Sequence, residues 1–288
     1  MFPIQWFPGH MKKTLEEIKL NIKFIDIVLV ILDARIPISS MNFELLKILN
    51  NKPFLVLLNK ISLTDLSKNF LFENFFKSKK INTLLIDAKN RINIDKILVK
   101  IKKMLNIKIN SHKNYKKQIK IMIVGVPNVG KSTLLNSLTK RKVVRTSNKP
   151  GITKKLQWIS SFIDNIKFLD TPGILYPKIN SYKISYSLAL CGCIKEELVS
   201  KEDLIHYFLD YLKKYYLEKL MIFFNLSQSE INEKNLFQIL IKKRYNNEKF
   251  IEKNYYDFVD RNNIVSKFFS EIIGKKIQKI NFDLDLFS

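Results

Sequence analysis

Cysteine is scarce in this chain, and so are the clusters that would give its cysteines a structural role. Cys191 and Cys193 are the two present; they are too few and too close together for a disulfide framework. His10, His112 and His206 lie far apart in the sequence, which speaks against a zinc site. Runs of about eighteen apolar residues, the length needed to span a bilayer, do not occur. Pro3, Pro8 and Gly9 interrupt the start of the chain, so neither a secretory signal nor an Arg-rich transit pattern is expected, and a cytoplasmic protein without membrane partners is. Acidic residues are missing from one region in particular. Residues 101–180 carry 17 basic and 2 acidic side chains, against 16 and 9 in residues 1–100 and 17 and 15 in residues 181–288. The net charge of +24 is therefore concentrated mid-chain, at Lys102 to Lys120 and Lys140 to Lys155. A polyanion such as a large RNA suits that distribution, because neutralising phosphates releases counterions. The preference for Lys over Arg, with abundant Ile and Asn, is also what an AT-rich genome produces, which is an alternative reading of the magnitude more than of its concentration mid-chain.

What the chain does have is organised around residues 125–133, Gly-Val-Pro-Asn-Val-Gly-Lys-Ser-Thr. Gly125, Gly130, Lys131 and Ser132 satisfy GxxxxGK[ST] between an apolar run, Ile119 to Val124, and a helical pattern opening at Lys131. That spacing predicts a phosphate-binding loop. The glycines let backbone N–H groups of Asn128, Val129 and Gly130 close around phosphates, Lys131 reaches the terminal ones, and Ser132 is placed to ligate Mg²⁺, with Thr133 beside it in the first helical turn. The helix N-terminus adds its positive dipole end.

At 288 residues, 46% of them hydrophobic, the chain is long enough for two domains. A helix with Leu15, Ile18, Ile22 and Ile25 on one face precedes the apolar run 25–32, which ends at Asp33-Ala34-Arg35-Ile36-Pro37. Residues 40–50 read as a helix, Pro53 to Leu58 as a buried strand leading to Asn59-Lys60-Ile61-Ser62, residues 64–76 as a helix, and Thr83 to Ile86 as a strand ending at Asp87-Ala88-Lys89. Ile94, Ile97, Leu98, Ile101 and Leu105 mark a further helix. Residues 156–163 and 166–169 suggest a hairpin turned at Asp164-Asn165. Strands alternating with helices imply an α/β fold with a doubly wound, mostly parallel sheet. From about Tyr182 the pattern is helical: Ile205, Phe208, Leu209, Leu212 and Tyr216 share a face, and Phe258 to Ile273 form a last helix with Gly274 as its cap. The many Tyr and Phe of this region read as core rather than as base-stacking platforms.

The strand 166–169 delivers Asp170-Thr171-Pro172-Gly173. A carboxylate there, at the end of an apolar strand, belongs to the Mg²⁺ shell, and Gly173 can follow a γ-phosphate with its backbone N–H. Between the two motifs lies Lys149-Pro150-Gly151-Ile152-Thr153, with a hydroxyl at Thr153.

Taken together, Trp6-Phe7-Pro8-Gly9-His10-Met11, Asp33-Ala34-Arg35-Ile36-Pro37, Asn59-Lys60, the phosphate loop, Lys149 to Thr153 and Asp170 to Leu175 resemble the circularly permuted GTPases of the ribosome biogenesis GTPase A type. In an ordinary GTPase the Asn-Lys motif that reads the base follows the phosphate loop; here Asn59 precedes Gly125. The resemblance implies a permuted GTPase domain over residues 1–180 and a small all-helical, RNA- and ribosome-binding domain over residues 181–288. Basic groups there, Lys242-Lys243-Arg244 and Lys275-Lys276, are candidate RNA contacts. It implies a monomer that binds GTP and GDP with Mg²⁺, hydrolyses GTP, and acts with 23S rRNA and ribosomal proteins in late maturation of the large (50S) subunit, the particle stimulating hydrolysis and release. It implies catalytic roles for His10, Lys131 and Thr153, with Mg²⁺ held by Ser132, Thr153 and Asp170, and K⁺ as a further cation near Asn128. Ras-like proteins orient the attacking water with Gln just after Asp-x-x-Gly, but here Ile174 stands there, and His10 takes over that task in the resemblance.

The chain departs from the family at Ser62, where a carboxylate normally accepts two guanine hydrogen bonds. A hydroxyl accepts one well, a loss worth about tenfold to a few hundredfold in affinity. Guanine preference then rests on Asn59, Lys60 and Ala88, with Asp87 as a partial substitute. A second reading follows: an rRNA-binding assembly protein with weak or relaxed-specificity hydrolysis.

Overall fold

The structure, a computed structural model, describes residues 9–49, 52–106, 118–141, 155–161, 165–233, 235–245, 258–272 and 279–287. Thr153, the segments 1–8 and 142–154, Gly274, Lys275 and Lys276 lie outside the described residues, as does the side chain of His10.

Among the described residues six strands form one sheet: β1 (Ile27–Asp33), β2 (Phe54–Asn59), β3 (Thr83–Leu85), β4 (Ile119–Val124), β5 (Gln157–Ser160) and β6 (Ile166–Asp170), in the order β3-β2-β1-β4-β6-β5. All neighbours run parallel except β5, which pairs antiparallel with β6 at the edge. The α/β, mostly parallel sheet expected from the alternating pattern is therefore found. β1 is buried at every position, as strands covered on both faces must be. Val28, Val30 and Leu32 pack with Val56, Leu58, Met122 and Val124 against Ile18 of α1 (Gly9–Asn21), Leu45 of α2 (Phe43–Ile48) and Phe76 of α3 (Asn69–Ser78). The alternate residues Leu29, Ile31, Leu55, Leu57, Ile121 and Ile123 are equally buried, because successive side chains of a strand leave on opposite faces. Each such burial is worth about 1.5–3 kcal/mol. The amphipathic α4 (Ile94–Met104) and the phosphate-loop helix α5 (Lys131–Thr139) complete the layers.

Boundaries differ from the periodic reading where capping intervenes. The helix expected over 40–50 begins at Phe43, because Asn42 accepts Leu45 N–H at 3.1 Å and Ser40 N–H is used in a turn onto Ile36 O. The helix expected over 64–76 begins at Asn69, because Asp65 accepts Ser67 N–H and closes a separate 3-10 turn, Leu66–Lys68. The hairpin expected over 156–163 and 166–169 is found as the antiparallel pair β5–β6; Asp164 of its turn lies outside the described residues, and Asn165 is in the left-handed region at φ 49.

Packing divides the chain into two compact units, Met1–Lys195 with Lys279–Ser288, and Glu196–Gln278. This differs from a division after residue 180 in two respects. First, α6 (Tyr182–Leu190) belongs with the sheet unit, its Tyr186, Leu188, Ala189 and Leu190 all buried. Second, the terminal segment returns to that unit. Phe282 N–H donates to Arg35 O at 2.7 Å, and the Asp283 carboxylate accepts from Ile38 N at 2.7 Å, Ser39 N at 2.8 Å and Ser39 Oγ at 2.5 Å. Phe287 lies 5.2 Å from Phe72, ring to ring.

The second unit is helical: α7 (Lys201–Tyr215), α8 (Leu217–Phe224), α9 (Gln228–Asn232), α10 (Leu236–Tyr245) and α11 (Phe258–Ile272). Ile205, Phe208, Leu209 and Leu212 form the buried stripe of α7, and Phe237 meets Phe268 at 5.2 Å, edge to face. Its aromatic residues largely fill a core. Lys242, Lys243 and Arg244 are exposed in the last turn of α10, where Lys243 pairs with Glu230 at 3.1 Å.

Candidate nucleotide-binding site

The parallel strands deliver their carboxyl ends to one edge of the sheet, the edge where such sheets take ligands. Asp33 ends β1 in register with Asn59, which ends β2; Asp87 and Ala88 follow β3, Gly125 follows β4, and Asp170 ends β6. Each strand thus contributes one candidate residue or loop.

Between β4 and α5 the loop depends on two glycines. A Cβ at Gly125 would run into the Ile31 carbonyl oxygen, and one at Gly130, where φ is +100, into the Asn59 side-chain amide. Asn128 is left-handed at φ 61. Lys131 arches over this loop: its Nζ donates to Gly125 O at 3.1 Å and Val126 O at 2.9 Å. Burial lowers its pKa to about 8, the Asp170 carboxylate working against that shift and Lys60 with it. Ser132 and Thr133 occupy the first turn of α5, both half-buried.

One amide joins three loops. Asn59 Nδ2 donates to Val129 O at 2.7 Å, and Asn59 Oδ1 accepts Ala88 N–H at 2.9 Å. Beside it Lys60, itself left-handed at φ 69, donates from Nζ to Asn128 O and to Asp33 Oδ2, each at 2.7 Å. Asp33 is fully buried and also receives Arg35 Nε at 3.0 Å and Nη2 at 2.7 Å. Burial would push this carboxyl up, but Arg35 and Lys60 together hold it well below the usual carboxylate range. Sequence reasoning quoted Asp33 and Arg35 as a motif without giving them this work. It also missed the loop after α6: Gly192 O accepts Asn128 Nδ2 at 2.7 Å, and Cys191 O accepts Arg35 Nη2 at 3.3 Å. Carbonyl acceptors carry no side-chain signature, so nothing in the sequence marked them.

At the far end of the base-side loops Ser62 is exposed. The Asp87 carboxylate accepts Ser62 N–H at 3.3 Å and Asn90 N–H at 2.8 Å, and Asn90 Nδ2 donates to Ser62 Oγ at 3.0 Å. Burial would raise the Asp87 pKa; hydrogen bonds from Asn90 and Ser62 lower it below the usual value.

At the phosphate end the segment after β6 lies against the loop. Ile174 N–H donates to Gly125 O at 3.2 Å, Thr171 Oγ1 to Ile123 O at 2.8 Å, and a Cβ at Gly173 would stand 2.7 Å from the backbone of Pro127. Among the described residues no group of three or more His, Cys, Asp or Glu could hold a metal. A hydroxyl at Ser132 and a carboxylate at Asp170 are instead the hard-oxygen set that suits Mg²⁺ shared with phosphates, an ion that keeps much of its shell outside the protein. The residues present fit that ion. His10 falls in the first turn of α1.

A phosphate loop, a carboxylate at the end of the neighbouring strand and an Asn-Lys loop that comes earlier in the chain define a P-loop GTPase domain in circularly permuted order. Comparison with known proteins agrees. The family described as "50S ribosome-binding GTPase" matches residues 120–251. Ribosome biogenesis GTPase A of Priestia megaterium is 39% identical over 245 residues, 84% of this chain and 85% of that one. Mitochondrial ribosome-associated GTPase 1 of Mus musculus is 35% identical over 228 residues, 74% of this chain and 70% of its own. Among solved structures, GNP-bound YlqF from T. maritima superposes with a TM-score of 0.56 at 24% identity, over 94% of this chain and 97% of that one, and so shares the fold. The chain belongs to the ribosome biogenesis GTPase A family, as its motifs suggested, and it is a GTPase.

Proposed function

We propose that this GTPase is a large-subunit assembly factor: it binds a late precursor of the 50S particle in the GTP state, is stimulated by that particle to hydrolyse GTP, and leaves in the GDP state. Membership of a family named for ribosome biogenesis supports the ribosomal partner, and the mid-chain excess of basic residues supports rRNA as the surface met. The observation that carries the switching part is the segment after Asp170. Ile174 is hydrogen-bonded to Gly125 of the phosphate loop, and the same segment continues in the chain through α6 to the helical unit. A change at the γ-phosphate is therefore passed along the backbone to the part read as RNA-binding, an order-to-disorder or hinge switch.

In this reading the loops that carry Asn59, Lys60, Ser62, Asp87 and Ala88 form the base end of the site, and Asn128, Val129, Gly130, Lys131, Ser132 and Thr133 receive the phosphates. Gly173 follows the γ-phosphate. Ser132, Thr153 and Asp170 would hold Mg²⁺, which would supply positive charge to the phosphates. Lys131 and Thr153 stabilise the transferring group, His10 orients the water, and K⁺ near Asn128 adds positive charge. The protein works as a cytoplasmic monomer; among the described residues no helix is long and apolar enough to cross a membrane.

The test is steady-state GTP turnover with and without purified large subunits, for wild type and His10→Ala. The reading expects stimulation by the particle in wild type, and slow turnover with unchanged GTP affinity in His10→Ala. Turnover indifferent to the particle would instead favour an RNA-binding assembly protein whose hydrolysis is weak.

A further inference from the structure

The family's base-reading loop has lost its carboxylate at position 62, yet the structure puts another carboxylate beside that position. Asp87 lies 25 residues further along the chain, on the loop after β3, and is 3% exposed. Its Oδ2 accepts the Ser62 N–H at 3.3 Å, and Asn90 Nδ2 reaches the Ser62 hydroxyl at 3.0 Å. The Ser62 hydroxyl is thus engaged by Asn90 and Asp87 rather than left to read a base.

The nearer carboxylate in sequence is occupied elsewhere. Asp65 Oδ1 accepts Ser67 N–H at 3.1 Å and Ser67 Oγ at 2.7 Å, closing the 3-10 turn. Asp87, by contrast, immediately precedes Ala88, whose N–H is fixed by the base-side amide of Asn59 at 2.9 Å. A carboxylate offers about four acceptor positions. Asn90 N–H lies on Oδ1 and Ser62 N–H makes a long contact to Oδ2, while the Ser62 and Asn90 side chains also hydrogen-bond the carboxylate; a base read by Asp87 takes the place of those two side-chain contacts.

We propose that Asp87, rather than the residue at position 62, supplies the carboxylate that accepts the guanine N1–H and 2-amino hydrogens. The base-reading carboxylate has moved from the loop after β2 to the loop after β3, and Ser62 supports it by hydrogen bonding where an acidic residue would repel it. This rests on the assignment of the site as one for guanine nucleotides, and it makes Asp87 the specificity-determining residue of that site. Two carboxylates cannot both be charged at this distance without cost, so the relocation explains why position 62 carries a small neutral side chain.

The test is equilibrium binding of non-hydrolysable GTP, ATP and XTP analogues to the full chain at fixed Mg²⁺. Wild type, Asp87→Asn, Ser62→Asp and the exchange Ser62→Asp/Asp87→Ser are compared, with thermal melting of each. Asp87→Asn keeps an acceptor for Asn90 N–H and presents an amide that can donate to the 2-oxygen of xanthine. It is expected to weaken GTP by about tenfold to a few hundredfold, to strengthen XTP, and to leave ATP unchanged. Ser62→Asp alone is expected to give no tighter GTP binding, and the exchange to recover the wild-type preference. If Asp87→Asn weakens all three nucleotides alike, Asp87 only closes its own loop and the proposal is wrong; it is equally overturned if Ser62→Asp alone tightens GTP. A wild type that does not distinguish GTP from ATP would remove the guanine assignment itself, a result separable from a selective wild type whose preference survives Asp87→Asn.

Discussion

Lys131 is 7% exposed, and its ammonium is held by two carbonyls of its own loop. Burial lowers its pKa to about 8, and a phosphate arriving beside it favours the charged form. The sign follows: below pH 8 the lysine already carries its proton and binding needs none, whereas above pH 8 nucleotide binding must take a proton up. GTP affinity is therefore expected to be flat from pH 6.5 to about 7.5, then to fall by up to about tenfold per pH unit until the pH reaches the higher pKa of the bound lysine. Calorimetric titrations in two buffers of different ionisation enthalpy measure the proton uptake directly; no uptake at pH 9 would contradict it. At this scale the sequence was legible where chemistry is tied to a residue type. Asn59, Gly125 and Asp170 stand at strand ends and Gly130 and Lys131 at the start of α5, as their motifs implied. It named Asp33 and Arg35 only as part of a motif, without the pairing through which Asp33 holds both Arg35 and Lys60, and it was silent on the carbonyls of Cys191 and Gly192, because contacts made by backbone atoms leave no trace in side-chain pattern.

Between elements, two close approaches set how the site is held. The segment after β6 lies on the phosphate loop through Gly173, where any Cβ would press on Pro127 at 2.7 Å. Gly173→Ala is expected to part the two loops, slowing single-turnover GTP hydrolysis by at least about tenfold while changing GDP affinity much less. Unchanged turnover would show that the contact is incidental. The second approach is the terminal segment, whose Asp283 accepts two backbone N–H groups and one hydroxyl of residues 38–39. Removing that carboxylate leaves largely buried donors without partners, at about 2–4 kcal/mol, so Asp283→Ala is expected to lower the melting temperature by several degrees; a melting curve superposable on wild type would contradict it. Element types were read from periodicity and flanking residues, but their ends were set by caps such as Asn42 and Asp65, which short side chains make only once the chain has turned. The return of residues 279–287 to the sheet was not legible at all. Asp283 and Ile38 are 245 residues apart, and no local pattern announces a pairing at that separation.

For the whole molecule, the consequence of the permuted order is mechanical. The helical unit, Glu196–Gln278, is bounded in the chain by segments that both belong to the nucleotide-site unit. One leads from Asp170 through α6, with Gly192 hydrogen-bonded to the phosphate loop; the other leads into Phe282, hydrogen-bonded to Arg35 beside the base-side loops. Both ends of the helical unit are thus covalently continuous with segments that touch the site. All of this depends on a base-side loop from β2 closing a site whose phosphate loop comes after β4, through Asn59, which also holds the Ala88 loop, and its neighbour Lys60. The most direct measurement is equilibrium binding of non-hydrolysable GTP and ATP analogues to wild type and Asn59→Ala, with Lys131→Ala as the phosphate-end control. Asn59→Ala is expected to lower GTP affinity by about tenfold to a hundredfold and to narrow the GTP over ATP preference, while Lys131→Ala abolishes both. If Asn59→Ala binds GTP as tightly and as selectively as wild type, the loop that precedes the phosphate loop does not form the base end of the site, and the permuted arrangement described for this chain is wrong.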